Sequence, residues 1–441
     1  MIPSSHLFDQ SHIVTLLDHD PLVQDYRAFF SLLDWSVVDH WQAQRSSRGR
    51  PAHPETAYLK AFLLRIRQGL IYASQLRRFL LQHPLLIMEL GFHLVLDRTQ
   101  LYGFDPQQTL PCEFWFREKL RSFDPALLQA LLQATVRDLK EEIPGLGEVV
   151  AFDVKHIYAW VKENNWRAYV SERYDKTKVL AGDPDCTLGV KRSTNQEQPD
   201  GSTKEKKELI WGYGSGVAAA TTADYGDVVL AEYTLPFNEG DIRYFQPLYQ
   251  QTTLALDAFP LHITADAAYD AWYVYEAAAR HGGIAAVPLN GHGHHDGSRD
   301  CDGVPICAKG LRMIPTFHFA HPNGYRARRF VCPLLFPQAT GETCDHEQFK
   351  KGKGCMKDPN WEAGGLMRVT LDRENPLYKT IYTQRTSCER INSQAKELGI
   401  ERPKVRNRRS VANLNTLIYV IINVRALDRA KSINRGLLQM N

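Results

Sequence analysis

The sequence predicts an α/β protein: a mixed β-sheet with helices, preceded by an all-helical region and interrupted by a cysteine-rich insertion. Three observations carry this reading. Apolar residues recur at helical spacing through residues 1–145. From Gly147 the period shortens to the alternation of strands, first one strand after another and then strands alternating with helices, which is the order of a mixed sheet. Between Asn290 and about Asn375 five of the eight cysteines gather in a stretch with little helical periodicity.

Each element follows from local chemistry. Pro54-Glu55 opens the run AYLKAFLLRIRQG, which Gly69 closes. Ser74 is placed to cap QLRRFLLQH before Pro84, and PALLQALLQATVRDLKEEI forms a third helix from Pro125 to Pro144. Arg77, Arg78, Arg117 and Arg121 in this helical region suit either DNA contact or a solvated face. GEVVAFDVKHIYAWV alternates and is rich in β-branched and aromatic residues, so it reads as strand. The polar stretch Glu163 to Lys207 reads as a long loop or small insert. LIWGYGSGVAAAT and DVVLAEYTLP fit two further strands, Gly240–Leu256 a helix, and LHITAD another short strand. Asp270 then caps AWYVYEAAARHGG, and IAAVPL gives a last strand. A helix from about Lys379 to Leu398 stops at Gly399 with Pro403 beyond it. The expected division is 1–146 helical, 147–289 with 376–400 as the α/β domain, 290–375 as the insertion, and 401–441 as a basic segment and helix.

With 441 residues, 44% hydrophobic and 23% charged, the chain is neither disordered nor fibrous, and its length suits two to four domains. The net charge of +3 hides an asymmetry: residues 401–441 sum to +7 and residues 1–400 to −4. The first twenty residues lack a basic segment followed by an apolar one. The longest apolar stretch, Leu414 to Leu427, is broken by Asn415, Asn423 and Arg425 and is too short to span a bilayer. A cytoplasmic location, with cysteines as thiols or metal ligands, is expected.

The chemistry concentrates in KTIYTQRTSCERINSQAKEL. As one helix it would place Tyr382, Arg385, Glu389 and Lys396 on one face, with Cys388, Ile391, Ala395 and Leu398 opposite. A solvated face with an Arg385–Glu389 ion pair is the plain alternative. Two strand carboxylates weigh against it. Asp153 lies in the middle of VVAFDV and Asp266 ends LHITAD, and carboxylates are depleted from strands. Two strand carboxylates and one helix carboxylate suit two divalent cations, which favour oxygen ligands and serve phosphoryl transfer.

These residues resemble the bacterial insertion-sequence transposases of the DDE class, in the group with the signature Tyr-x2-Arg-x3-Glu-x6-Lys. Tyr382, Arg385, Glu389 and Lys396 stand at that spacing, and Asp266-Ala267-Ala268-Tyr269-Asp270 matches the motif of an Asp, a small residue and then Tyr-Asp. The resemblance covers about Gly147 to Leu427. It implies a ribonuclease H-like fold in which Asp153, Asp266 and Glu389 hold two Mg²⁺ or Mn²⁺ ions. It also implies cleavage at transposon ends and strand transfer into target DNA by a complex that is most simply a homodimer. Tyr382, Arg385 and Lys396 would hold double-stranded end DNA. Apart from the resemblance, Arg390 and the first cations of the basic stretch Arg402 to Arg409, Arg402 and Lys404, are read as further DNA contacts, with a solvated basic loop as the alternative for that stretch. One departure is the separation of 122 residues between Asp266 and Glu389.

Other signals stay open. Cys332, Cys344, His346 and Cys355 form a candidate structural zinc set, for which buried thiols are the alternative and Cys301 or Cys307 a substitute ligand. Lys350, Lys351, Lys353 and Lys357 beside it suit DNA contact or a solvated loop, and His292, His294 and His295 read as a loop. Two wider alternatives are a nuclease that cuts without strand transfer and a zinc-bearing DNA-binding protein without chemistry.

Overall fold

The computed structural model describes residues 10–43, 52–197, 203–290 and 298–440. The chain forms two compact units: Met1–Leu146 with Asp153–Ala258 and Ser387–Asn441, and Gly147–Phe152 with Phe259–Thr386. Together they are mixed α/β. His292, His294 and His295 lie outside the described residues.

The first unit opens with helices α1 (Gln10–His19), α2 (Pro21–Phe30), α3 (Ser36–Ala43), α4 (Glu55–Arg67), α5 (Ala73–Gln82), α6 (Pro84–Leu90), α7 (Pro106–Thr109), α8 (Glu113–Ser122) and α9 (Pro125–Glu142). Three of them start on the same dipeptide. Asp20, Asp105 and Asp124 each accept a backbone N–H of the first turn, and each is followed by a proline whose missing N–H costs nothing there. The expected Ser74 cap is not used. Gln75 instead reaches back to the N–H groups of Ile71 and Tyr72 at 2.7 and 2.9 Å, because a glutamine in the first turn spans that distance and serine does not.

The strands of this unit are most of β1 (Val149–Tyr158), β2 (Thr187–Glu197), β3 (Thr203–Thr222) and β4 (Gly226–Pro236). β3 lies between β2 and β1 and also pairs antiparallel with β4. Gly212 permits the approach of β1: a Cβ there would stand 1.9 Å from the Ile157 carbonyl oxygen. The stretch read as loop, Glu163 to Lys207, contains β2 and the start of β3. Its strands carry no apolar alternation because they form a hairpin extension held by main-chain pairing, with Lys191 opposite Glu208 in register. α10 (Ile242–Leu256) follows β4.

The C-terminal helix, here α16 (Arg408–Met440), is far longer than the apolar run Leu414 to Leu427 suggests. By length and composition it would suffice to cross a membrane, yet 89% of its apolar window is buried inside the protein, as in a core helix. The two asparagines read as interruptions are buried and bonded. Asn423 takes both the N–H and the C=O of Val229 beside a register shift in β4 and also donates to Thr135 on α9, while Asn415 donates to Thr234.

In the second unit, β5 (His262–Thr264) pairs parallel with the first residues of β1, in the register Val149–His262, Val150–Ile263, Ala151–Thr264. β6 (Ala285–Ala286) continues the parallel set beyond β5. α11 (Trp272–Ala279) packs against α13 (Ala363–Thr370), and α14 (Pro376–Thr383) packs on β5 and β6. Asp270 does not cap α11. Its carboxylate, almost fully buried, is gripped by Arg368 through two 2.7 Å bonds and accepts from Tyr275 and the Asn290 N–H. Burial opposes its ionised form, but these donors outweigh that and hold the carboxyl below the usual range.

A separate three-stranded antiparallel sheet, β7 (Ile314–Ala320), β8 (Arg326–Val331) and β9 (Met356–Lys357), with the short helix α12 (Glu347–Lys350), occupies the cysteine-rich stretch. The helix expected from Lys379 to Leu398 is broken into α14 and α15 (Thr386–Glu397). At the break, Gln384 and Arg385 donate to carbonyls three residues back, and the Thr386 hydroxyl takes the Thr383 carbonyl. Tightened bonding and a competing side chain end the first helix.

Candidate active site

β1 presents Asp153 from a strand otherwise filled with Val150, Ala151 and Phe152, all buried. Opposite it in the first unit stands α15, whose buried face is Ser387, Cys388, Ile391, Asn392 and Ala395. Asn392 Nδ2 donates to Asp153 Oδ2 at 2.9 Å. Glu389 lies on the same helix, three residues before Asn392. Glu389 and Lys396 are exposed, and Lys396 faces Glu401 at 3.4 Å.

Arg390 has partners within the protein. Its guanidinium forks onto Asp227 at the start of β4 with two 2.7 Å bonds and also reaches Thr221. Asp227 is buried and Arg390 half exposed, so a planar donor fork anchors α15 to the β3–β4 hairpin. This contact is structural.

The basic tail is ordered on aromatic rings of the same unit. The Arg402 guanidinium lies 3.9 Å from the centre of the Tyr158 ring, and Lys404 and Arg406 stand 5.8 and 4.8 Å from that of Trp160. Trp160, Lys404 and Arg406 line a cleft together with Tyr72, Arg117 and Arg121. Cations held in place on rings in this way suit contact with phosphate groups.

The second unit carries the remaining expected residues. β5 ends at Thr264, and two residues on Asp266 starts a single 3₁₀ turn, Ala267–Tyr269, accepting the Ala268 N–H at 2.9 Å. Within this unit the last registered pair of the parallel strands is Ala151–Thr264. Tyr382 stacks on Tyr378 with ring centres 5.9 Å apart and packs against a cluster of Ala286, Tyr378 and Ile381. The Arg385 guanidinium lies 5.9 Å from the Tyr382 ring centre. The broken helix thus divides the four-residue signature: Tyr382 is on α14, Arg385 in the turn, and Glu389 and Lys396 on α15.

No group of three or more His, Cys, Asp or Glu side chains is gathered as a metal-ligand set among the described residues. The donor chemistry beside Asp153 still fits a hard divalent cation. The donors are oxygens, and Asn392 Oδ1 is buried without a hydrogen-bond partner. The three expected cysteines come together, joined by the substitute Cys307. Cys332 and Cys355 share a buried apolar cluster with Cys307, and Cys344 packs against it. His346 instead caps α12, its ring accepting the Gln348 N–H at 3.3 Å. Burial and the neighbouring thiols push the Cys355 thiol up. No disulfide joins any of the eight cysteines.

Two residues escaped the sequence reading. Asn392 carried a signal, as the amide three residues after Glu389 on a helical face otherwise apolar. Glu232, buried in β4, carried only the anomaly of a carboxylate inside DVVLAEYTLP.

No protein-family model matches the chain, and none of the curated proteins does. Among solved structures, the cryo-EM structure of the piggyBac transposase synaptic complex with hairpin DNA is similar at 10% identity, over 95% of this chain and 82% of that one. Its TM-score is 0.30, at which the overlap carries no argument.

Proposed function

We propose that the chain is a DDE-class transposase with a ribonuclease H-like catalytic sheet, cutting DNA at the ends of its element and joining those ends to target DNA. One observation carries the reading. Adjacent parallel strands each place an aspartate two residues beyond their last registered pair, Asp153 after Ala151 and Asp266 after Thr264. The Tyr-x2-Arg-x3-Glu-x6-Lys spacing, with Glu389 one turn from the residue that holds Asp153, supports it.

Asp153, Asp266 and Glu389 would hold Mg²⁺ or Mn²⁺. When bound, the cations supply Lewis-acid activation of the attacking oxygen and stabilisation of the leaving one. The chain's own residues do the rest. Asn392 fixes the rotamer of Asp153 through its 2.9 Å bond. Lys396 and Arg385 offer charge to the phosphates flanking the scissile bond, and Tyr382 offers a ring edge to the strand end. Arg402 and Lys404, held on Tyr158 and Trp160, extend the phosphate contacts. The partners are double-stranded terminal repeats and target DNA, bound by a homodimer in the cytoplasm.

The test uses DNA carrying the inverted repeats that flank the gene. Native protein with Mg²⁺ nicks at the repeat ends. Asp153→Ala, Asp266→Ala and Glu389→Ala each reduce the rate by roughly a thousandfold or more while metal-free DNA binding persists. Cleavage surviving all three substitutions refutes the proposal.

A further inference from the structure

Asn392 is an unusual residue for its position. On α15 its neighbours on the buried face, Cys388, Ile391 and Ala395, have no exposed surface, and Asn392 itself is 8% exposed. Asparagine is a poor helix former and an apolar side chain would fill this site at lower cost. One half of the amide is explained, since Nδ2 donates to Asp153 Oδ2 at 2.9 Å. That bond also fixes the amide's orientation, because the reversed amide would set its oxygen against a carboxylate that only accepts. The other half is not explained: Oδ1 is buried with no donor. A buried amide oxygen without a partner is costly, and it directs attention to an ion or water that completes the site.

We infer that Asn392 belongs to the cation-binding set: its amide nitrogen positions Asp153 while its amide oxygen is a neutral protein ligand for the divalent ion. The inference rests on the reading of Asp153 and Glu389 as cation-binding carboxylates. An amide oxygen is the hard donor that Mg²⁺, Mn²⁺ and Ca²⁺ accept, and it adds a ligand without adding charge to a site that already holds carboxylates. Asn392 is bonded to the strand carboxylate and lies three residues after the helix carboxylate Glu389.

The experiment titrates the full chain with Mn²⁺ in the absence of DNA, reading free Mn²⁺ by electron paramagnetic resonance, with melting temperature followed in parallel. Asn392→Ala weakens Mn²⁺ binding by about tenfold or more, the usual cost of losing a ligand-orienting partner. Asn392→Asp restores the oxygen and binds Mn²⁺ at least as tightly as native. It also shows a larger Mn²⁺-induced rise in melting temperature, because the added charge repels Asp153 until a cation arrives. Native Mn²⁺ affinity in a folded Asn392→Ala protein overturns the inference. If the alanine protein does not fold, an Asn392→Asp protein with no gain in Mn²⁺-induced stabilisation overturns it. A native chain that binds no Mn²⁺ overturns it as well. A native chain that binds Mn²⁺ through Asn392 but leaves repeat DNA intact supports the inference and rejects the transposase reading.

Discussion

Glu232 shows what a single buried charge imposes. Its oxygens accept from Ser215, Thr234, Thr416 and Gln129. Burial pushes its carboxyl up to about 7, against the pull of those donors. The folded chain therefore binds this proton more tightly than the unfolded chain, whose carboxyl titrates near 4.5. The group's stabilisation is complete below that value and is lost as the pH rises through about 7, amounting to about 3 kcal/mol. Urea unfolding at pH 5 and pH 8 measures this: native protein loses stability across the interval relative to Glu232→Gln, whose side chain cannot ionise. A native–variant difference that is constant with pH contradicts the assignment. Residues of this kind were the hardest to read. Asp153 and Asp266 stand out in sequence because a carboxylate in a short apolar strand is rare. Glu232 is equally rare, yet three of its four partners, Ser215, Thr416 and Gln129, come from other elements that sequence spacing does not connect. Arg390 hid a partner for a similar reason, since Asp227 is 163 residues away.

At the scale of elements, the apolar residues of VVAFDV and LHITAD located β1 and β5, while their parallel pairing was not read from the sequence. The hairpin extension of β2 and β3 was not legible, because main-chain pairing alone leaves no apolar pattern. The break between α14 and α15 was not legible either: Gln384 and Arg385 are good helix formers, and the break comes from a three-residue bonding pattern and the Thr386 hydroxyl. In α16 the asparagines looked like polar faults in an apolar run. They are bonded instead, and Asn423 satisfies two main-chain groups of β4 that the register shift leaves available. Asn423→Leu therefore leaves the Val229 N–H and C=O buried without partners. Its expected cost is about 3 kcal/mol in chemical unfolding, well above the value for a conservative change of volume. A loss under 1 kcal/mol would mean that β4 repairs its own ladder.

For the whole molecule, net charge was the least informative number and its distribution the most. The +7 tail of residues 401–441 begins on the rings of Tyr158 and Trp160, and its cations line a cleft with Arg117 and Arg121. Replacing Arg402, Lys404 and Arg406 together by alanine should weaken DNA binding. It should also shrink the slope of log K against log salt by about 2–3, one counterion-releasing phosphate contact for each cation. An unchanged slope places the DNA elsewhere. The central proposal is that Asp153, Asp266 and Glu389 serve phosphoryl transfer, and strand transfer tests it most directly. A pre-cleaved repeat end with a free 3′-hydroxyl is incubated with native protein, Mg²⁺ and a supercoiled plasmid. Covalent joining of the end to the plasmid is predicted for native protein and none for Asp153→Ala, Asp266→Ala or Glu389→Ala. Joining by any of these variants at the native rate, or its absence with native protein that binds the end, would contradict the account.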